Sequence, residues 1–304
     1  MMLSFKPFQA GDRLFYEQHL ALSGERGCEF SFANLFLWGR QRIAFVEGHV
    51  SVFSQFDRKS VYLFPVGCGD RKAAVDAIIH DAQVRDIPCR FTGLTQADCE
   101  FLQENYPGRF RIHTDRNSFD YIYSIDHLAD LPGRKYQRKR NHLNRFFQQY
   151  PNSTVEPITR ENASQVRALV DTWYAQRLSQ DPTADFHMEK AALYKALEHF
   201  QDLDMEGLLL RIDAEPVAMT LGSFLTEQTF DVQFEKALEG FDGAYPRINQ
   251  AFACYLREKY PQLLWLNREE DMGIEGLRKA KLSYNPDFLC EKFWACLLEE
   301  GYDY

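Results

Sequence analysis

The sequence contains no apolar run approaching the roughly 20 residues that cross a bilayer. Its start, MMLSFKPFQAGDR, lacks a basic stretch followed by an apolar one, so no secretory leader is expected there. The seven cysteines stand at 28, 68, 89, 99, 254, 290 and 296. The count is odd and no pair has C-x-x-C spacing, which argues against both a disulfide framework and a zinc knuckle. Buried or neutral thiols are the expected state. The eight histidines are scattered and none forms H-x-x-x-H, so no structural metal is expected. G-x-G-x-x-G, the P-loop and G-x-S-x-G are all missing. A dinucleotide enzyme, an NTPase and a serine hydrolase therefore have no support.

The chain has 304 residues, 45% of them hydrophobic and 14% aromatic. That is enough apolar material for one large domain or two ordinary ones, and too much for a disordered chain. The composition reads as a soluble, cytoplasmic protein. The net charge of −9 is unevenly spread. Residues 1–150 carry 20 Lys/Arg against 17 Asp/Glu, a net of +3, and residues 151–304 carry 15 against 27, a net of −12. A polyanion would meet this protein at one place, not across its whole surface.

Short helices are predicted over Arg13–Leu22 and Ser31–Trp38. The period then changes. Ile43–Val46, Val50–Phe56 and Val61–Val66 are rich in β-branched and aromatic residues. They are separated by turn chemistry at Glu47-Gly48-His49 and Asp57-Arg58-Lys59-Ser60, which predicts an antiparallel meander. Asp70 is a predicted N-cap for a helix over Arg71–Arg85. A strand near Arg90–Thr92, a helix over Gln96–Asn105 and strands near Phe110–Ile112 and Phe119–Ile125 complete a first unit. The second unit opens with Leu131-Pro132-Gly133 and a long basic helix to about Gln149. A strand at Thr154–Pro157 and helices over Asn162–Gln180 and Met188–Phe200 follow. A second meander is predicted over Leu208–Ile212, Pro216–Leu225 and Thr229–Phe234. A helix over Pro246–Lys259, a strand at Leu263–Leu266, a helix over Ile274–Leu282 and a final strand over Phe288–Leu297 close the chain. The same order of elements thus occurs twice, which predicts two copies of one α+β fold with a boundary near residue 125.

Three segments carry candidate chemistry. Between Arg134 and Arg145 six cations fall in twelve positions, and residues 131–155 contain no Asp or Glu. Tyr136, Leu143, Phe146 and Phe147 are the expected buried stripe. Arg134, Lys135, Arg138, Lys139 and Arg140 suit phosphate contacts, or else a solvated face that pairs with the acidic second half. The second segment is Gly243-Ala244-Tyr245-Pro246-Arg247-Ile248-Asn249. It follows Gly240 and opens a helix, where unpaired amides suit an anion and Arg247 adds charge; the plainer reading is an ordinary strand-to-helix turn. The third runs from Leu266 to Pro286. Asn267, Glu269 and Asp271 alternate after a short apolar strand, so in an extended chain they face one way. A charged surface loop is the alternative. Arg278 and Lys281, on the helix that follows, join the candidate phosphate-binding set.

Leu-Pro-Gly-Arg-Lys-Tyr-x-x-Lys-Arg-Asn-x-x-Asn-Arg-Phe at Leu131–Phe146 resembles a pattern of a bacterial family known mainly as a domain of unknown function. So do Gly-Ala-Tyr-x-x-Ile-Asn-x-Ala-Phe at Gly243–Phe252 and Asn-x-Glu-x-Asp-x-Gly-x-x-Gly-Leu-Arg-x-x-Lys at Asn267–Lys281. That family is similar to the C-terminal catalytic domain of phosphatidylglycerol lysyltransferase, and the resemblance covers nearly the whole chain. It implies an α+β, mixed-sheet fold of two tandem GNAT-like (acyl-CoA N-acyltransferase) domains, 1–125 and 126–304, with the site in the second. The wider group contains acetyl-CoA-dependent N-acetyltransferases, aminoacyl-tRNA-dependent peptidoglycan transferases and the lipid lysyltransferases. Thr229–Phe234 and its partner strand are then expected to splay and expose backbone amides to an acyl carbonyl. Asn267, Glu269, Asp271 and Tyr284 are the implied catalytic set, with Tyr284 where GNAT enzymes often keep a general acid. The donor set comprises the five cations of the basic helix with Gly243, Tyr245, Arg247, Asn249, Arg278 and Lys281. The usual pyrophosphate loop begins with Gln or Arg, whereas this chain has Glu239-Gly-Phe-Asp-Gly-Ala, a departure that weighs against coenzyme A. A lipid acceptor is disfavoured too, because the lysyltransferases place transmembrane segments before this domain and an acidic protein is not drawn to anionic lipid.

These features lead to the expectation of an acyl or aminoacyl transferase. Its favoured donor is aminoacyl-tRNA, gripped at the acceptor stem, and its acceptor is an unidentified amine or hydroxyl. An acyl-CoA N-acyltransferase and a non-catalytic GNAT-like ligand-binding module are the alternatives. No metal and no other cofactor is implied.

Overall fold

A computed structural model describes residues 2–24, 26–56 and 59–298. Asp57 and Arg58 of the expected turn lie outside the described residues. The chain divides into two compact units. The first comprises the described residues of Met1–Asp120, Glu270–Gly273 and Cys290–Tyr304, and the second Tyr121–Glu269 and Ile274–Leu289.

In the first unit, β1 (Lys6–Pro7) and α1 (Arg13–Leu20) precede α2 (Phe32–Leu37). The meander follows as β2 (Gln41–Val46), β3 (His49–Phe56) and β4 (Lys59–Gly67), with both pairings antiparallel. Asp70 caps α3 (Arg71–Val84) by accepting from the Ala73 amide at 2.9 Å. After β5 (Arg90–Leu94), Thr95 and Asp98 form a reciprocal capping box that starts α4 (Gln96–Asn105). β6 (Phe110–Thr114) follows.

In the second unit, β7 (Asp120–Ser124) leads into α5 (Ile125–Asp130) and α6 (Gln137–Gln149). β8 (Thr154–Pro157), α7 (Ala163–Gln180) and α8 (His187–Glu198) come next. The second meander is β9 (Glu206–Ile212), β10 (Glu215–Phe224) and β11 (Thr229–Ala237). α9 (Ala244–Lys259), β12 (Trp265–Asn267), α10 (Glu275–Leu282) and β13 (Phe288–Cys290) complete the unit, and β14 (Phe293–Leu297) ends the described chain. Two seven-stranded mixed sheets result, ordered β1-β2-β3-β4-β5-β14-β6 and β13-β7-β12-β11-β10-β9-β8.

Two strands lie in a different sheet from the one their sequence position suggests. β7 belongs to the second sheet because Tyr121, Tyr123 and Ile125 are buried in that unit's core. β14 returns to the first sheet, antiparallel to both β5 and β6. The expected single strand over Phe288–Leu297 therefore breaks at Glu291-Lys292. Lys292 turns inward there, and its ammonium lies 2.6 Å from Asp120 and 2.7 Å from Glu29.

α9 buries Ile248, Phe252 and Leu256 on one face, at helical spacing, with Phe252 edge-on to Phe230 of β11 at 5.6 Å. α6 packs against the start of α9 through Phe146. Phe147, expected in the buried stripe, is 45% exposed and lies under the Arg247 guanidinium at 5.0 Å. Gly243 makes the approach of α6 to α9 possible. Its φ is +85°, and a Cβ there would stand 3.0 Å from the Phe146 Cβ and 3.3 Å from the His142 carbonyl oxygen. Gly243→Ala is therefore expected to destabilise the protein by about 1–2 kcal/mol, from the left-handed backbone alone. Urea unfolding with circular dichroism measures it, and a cost near zero would show that the backbone at this position carries no such strain.

Candidate functional site

β11 and β12 run parallel, registered from Thr229 opposite Trp265 to Asp231 opposite Asn267. β12 ends there, while β11 continues to Ala237 alongside β10. Beyond that point the two strands are joined by side chains. Arg268, the first residue past β12, donates from Nη2 to Oε1 of Glu235 on β11 at 2.8 Å. The other Glu235 oxygen accepts from Asn249 Nδ2 on α9 at 3.2 Å. Both members of the ion pair are largely buried, with side-chain exposures of 14% and 12%. An ion pair spans the opening between the two strands.

Two polar atoms at this node have no protein partner. Arg268 Nη1 and Asn249 Oδ1 are both buried without a hydrogen bond. Other buried side-chain atoms of the described residues share this state, Tyr174 Oη and Arg247 Nε among them, but Arg268 Nη1 and Asn249 Oδ1 belong to the residues that hold Glu235 from either side. An acceptor and a donor from a ligand would satisfy them. The backbone behind Arg268 is held firmly. Lys281 of α10 is buried, and its ammonium donates to the Arg268 carbonyl and, at 3.1 Å, to the Glu269 carbonyl.

The Tyr284 ring lies close to two cations. The Arg268 guanidinium is 4.9 Å from its ring centre and Lys139 Nζ is 3.4 Å from it. Burial raises the Tyr284 phenol well above its ordinary value, so the hydroxyl keeps its proton. Burial also lowers Lys139, to about 8, and the neighbouring Arg268 adds to the shift. Lys139 comes from α6 and donates to Ser283 Oγ at 2.7 Å.

Beside Lys139 opens a cavity of about 760 Å³. α6 supplies Lys139, His142, Arg145 and Gln149, and the loop from β11 into α9 supplies residues 237–246 with Gly243 and Tyr245. Arg145 Nη2 donates to His142 Nδ1 at 3.1 Å. Burial lowers the His142 imidazole below its ordinary value, and Arg145 and Lys139 lower it further.

The structure sorts the candidate residues. Arg134, Lys135 and Arg138 are exposed on the basic helix and the turn before it. Arg140 is spent locally, donating to the Leu131 carbonyl, the Gly133 carbonyl at 2.8 Å and Gln137 Oε1 at 2.7 Å. Among the described residues, none of the six cations pairs with a carboxylate. Tyr245 lines the cavity and accepts from Trp173 Nε1 at 3.2 Å. Arg247 faces Phe147 and lies outside the cavity lining; Arg278 on α10 lies outside it too. The loop itself is acidic. The Glu239 carboxylate accepts from Gln180 Nε2 at 2.6 and 2.7 Å, and its amide donates to Gln176 Oε1 at 3.1 Å.

Asn267, Glu269 and Asp271 do not form the extended array that alternation suggests. The chain turns at Glu269, where φ is +56°. Asn267 Oδ1 accepts from the Glu269 amide at 2.7 Å, and Asp271 Oδ1 accepts from the Gly273 amide at 2.9 Å. Asp271 belongs to the first unit. The Asn267 side chain thus closes the turn that carries Arg268. Lys281, from α10, holds the same turn through its bonds to the Arg268 and Glu269 carbonyls. The sequence reading missed Glu235 and Arg268. The available signal was the alternation of Thr229, Asp231, Gln233 and Glu235 with apolar residues along β11, which puts a row of polar groups on one face of a largely buried strand. In the first unit, Cys28 Sγ and carboxylate oxygens of Glu29 and Asp120 converge within 4.8 Å of one another. The cation at that point is the Lys292 ammonium, 3.4 Å from the Cys28 sulfur.

The model of the phosphatidylglycerol lysyltransferase C-terminal family matches residues 20–296. The chain belongs to this family. Its fold is the tandem GNAT-like one, of mixed α/β sheets. A conserved protein of unknown function from Bacteroides thetaiotaomicron is 36% identical, with a TM-score of 0.93 over 98% of this chain and 100% of that one. The L-PGS structure from Bacillus licheniformis is 17% identical, with a TM-score of 0.65 over 96% and 93%. A tandem GNAT protein of the clavulanic acid biosynthesis pathway is 11% identical, with a TM-score of 0.50 over 99% and 100%. An uncharacterised protein of Mycoplasmoides gallisepticum is 26% identical over 202 residues, 66% of this chain and 62% of that relative, so the match spans less than two thirds of it. Among the described residues of this family member, no helix is long and apolar enough to cross a membrane.

The node also makes a stability prediction. Arg268→Met strands a buried carboxylate and is expected to cost about 3–5 kcal/mol. Adding Glu235→Gln to it removes the stranded charge, so the double variant should cost less than the sum of the two single ones. Urea melts of the four proteins close the cycle, and additive costs would mean that the pair does not interact.

Proposed function

We propose that this family member moves an aminoacyl group from aminoacyl-tRNA to an amine or hydroxyl acceptor. One observation carries the reading. A guanidinium atom, Arg268 Nη1, is buried without a protein partner, and Lys139, which feels the Arg268 charge, lines a cavity together with Arg145, neither of them paired with a carboxylate of the described residues. An attacked ester carbonyl gains negative charge, and a fixed donor in a water-poor place stabilises it. Glu235 fixes the direction of that donor, and Asn249 fixes Glu235. The unpaired cations at the surface of α6 suit the phosphates of a nucleic-acid strand. The family's own name points to the same chemistry, since it describes a lysyl group moved to phosphatidylglycerol.

Coenzyme A fits less well. A pyrophosphate held by the β11–α9 loop would meet the carboxylates of Glu239 and Asp242, both in the cavity wall. Two like charges about 4 Å apart repel by roughly 4 kcal/mol at an effective dielectric near 20. The Glu239 amide, one of the donors such a loop would offer, is already bonded to Gln176.

Filter binding with total bacterial tRNA, charged with radiolabelled amino acids, tests the proposal. With about four phosphates contacted, affinity is expected to fall roughly a hundredfold between about 50 and 200 mM salt. Arg138→Gln should reduce the slope of log affinity against log salt by about one. Acetyl-CoA should leave the melting temperature unchanged. If charged tRNA fails to bind at both salt levels, the proposal is wrong.

A further inference from the structure

Of the six cations between Arg134 and Arg145, Lys139 is set apart by its surroundings. Its ammonium reaches inward from α6 to Ser283, Tyr284 and Arg268, and the residue lines the cavity. Among the described residues no carboxylate pairs with it. The nearby carboxylate, Glu235, is committed to Arg268 and Asn249. The Ser283 hydroxyl donates its own proton to the Ala280 carbonyl. Ser283 therefore only accepts from Lys139, so a neutral amine there would keep its lone pair. The groups that face it are Arg268 from the end of β12, Glu235 from β11, Ser283 and Tyr284 from beyond α10, and His142 from its own helix.

We infer that Lys139 is the general base of the transfer, taking the proton of the acceptor and returning it to the leaving group. This rests on the aminoacyl-transfer reading above. The acceptor N–H or O–H attacks the ester carbonyl, and the new bond forms from nitrogen or oxygen to the acyl carbon. The proton passes to the Lys139 amine while Arg268 Nη1 donates to the oxyanion. Collapse breaks the bond between the acyl carbon and the terminal ribose oxygen. That oxygen leaves with the proton now on Lys139, and the amine is regenerated. No oxidant, metal or further reactant is consumed. Desolvation and the Arg268 charge bring Lys139 to about 8, so a useful fraction is neutral near physiological pH.

The test uses the full chain, charged bacterial tRNA as donor and hydroxylamine as the acceptor amine. The wild-type rate should rise with pH through about 8 as the amine loses its proton. Lys139→Gln should lose about a hundredfold or more in single-turnover rate. Lys139→Arg keeps the positive charge but cannot deprotonate, so it should bind charged tRNA within about threefold of wild type and transfer as poorly as Lys139→Gln. Trimethylamine, which has no N–H and cannot become a stable product, should restore part of the Lys139→Ala rate. Circular dichroism melts show whether each variant is folded. If Lys139→Arg transfers within about threefold of wild type, Lys139 supplies charge only and the base role is overturned. If Lys139→Gln keeps the pH dependence, the same conclusion follows. If the wild type binds no charged tRNA and transfers nothing, the aminoacyl reading falls, and the base role with it.

Discussion

The buried pair of Glu235 and Arg268 organises the second unit's site. β12 is only three residues long, and Arg268 follows it directly. The guanidinium leaves the strand, crosses to β11 and meets a carboxylate that α9 also holds through Asn249. Lys281 grips the backbone behind it. The Tyr284 ring lies close to both Arg268 and Lys139. Buried ion pairs seldom add net stability, because desolvation consumes most of the attraction. Here one donor of Arg268 and one acceptor of Asn249, which holds the pair, are unused, so the geometry suits a ligand better than it suits stability alone.

Charge is arranged by place rather than by total. The chain is acidic, yet one helix carries only cations and histidine among its ionisable groups, and none of the cations is cancelled by a carboxylate of the described residues. Facing it, the β11–α9 loop carries Glu239 and Asp242. The cavity therefore has a basic wall and an acidic one. A ligand with phosphates on one side and an ammonium on the other would match both. The first unit shows the opposite practice. Cys28, Glu29 and Asp120 converge, but the chain's own Lys292 supplies the counter-charge.

Much of the architecture was legible in the sequence. The two meanders, the Asp70 cap, α4 and the basic helix follow from local rules: alternation, turn residues, capping and the spacing of apolar positions. The assignment of β7 and β14 to their sheets did not follow, because strand pairing depends on partners far away in the chain. The site was half legible. Lys139, Gly243, Tyr245, Asn249 and Tyr284 were singled out, and all gather around the node or the cavity. Asn267, Glu269 and Asp271 were read as an extended array, and the structure makes them a turn. Alternation predicts a common face only while the chain stays extended, and the left-handed backbone at Glu269 ends that. Glu235 and Arg268 were passed over because each, alone, is an ordinary charged residue.

The sequence by itself determined where helices and strands form, that the pattern occurs twice, and that cations gather on one helix. Those are properties of neighbouring residues, set by backbone propensity and side-chain period. Only the tertiary structure decided which charges are neutralised and which are not. Pairing and desolvation depend on distances between residues remote in the chain, such as Glu235 and Arg268 or Asp120 and Lys292, and no local pattern encodes them.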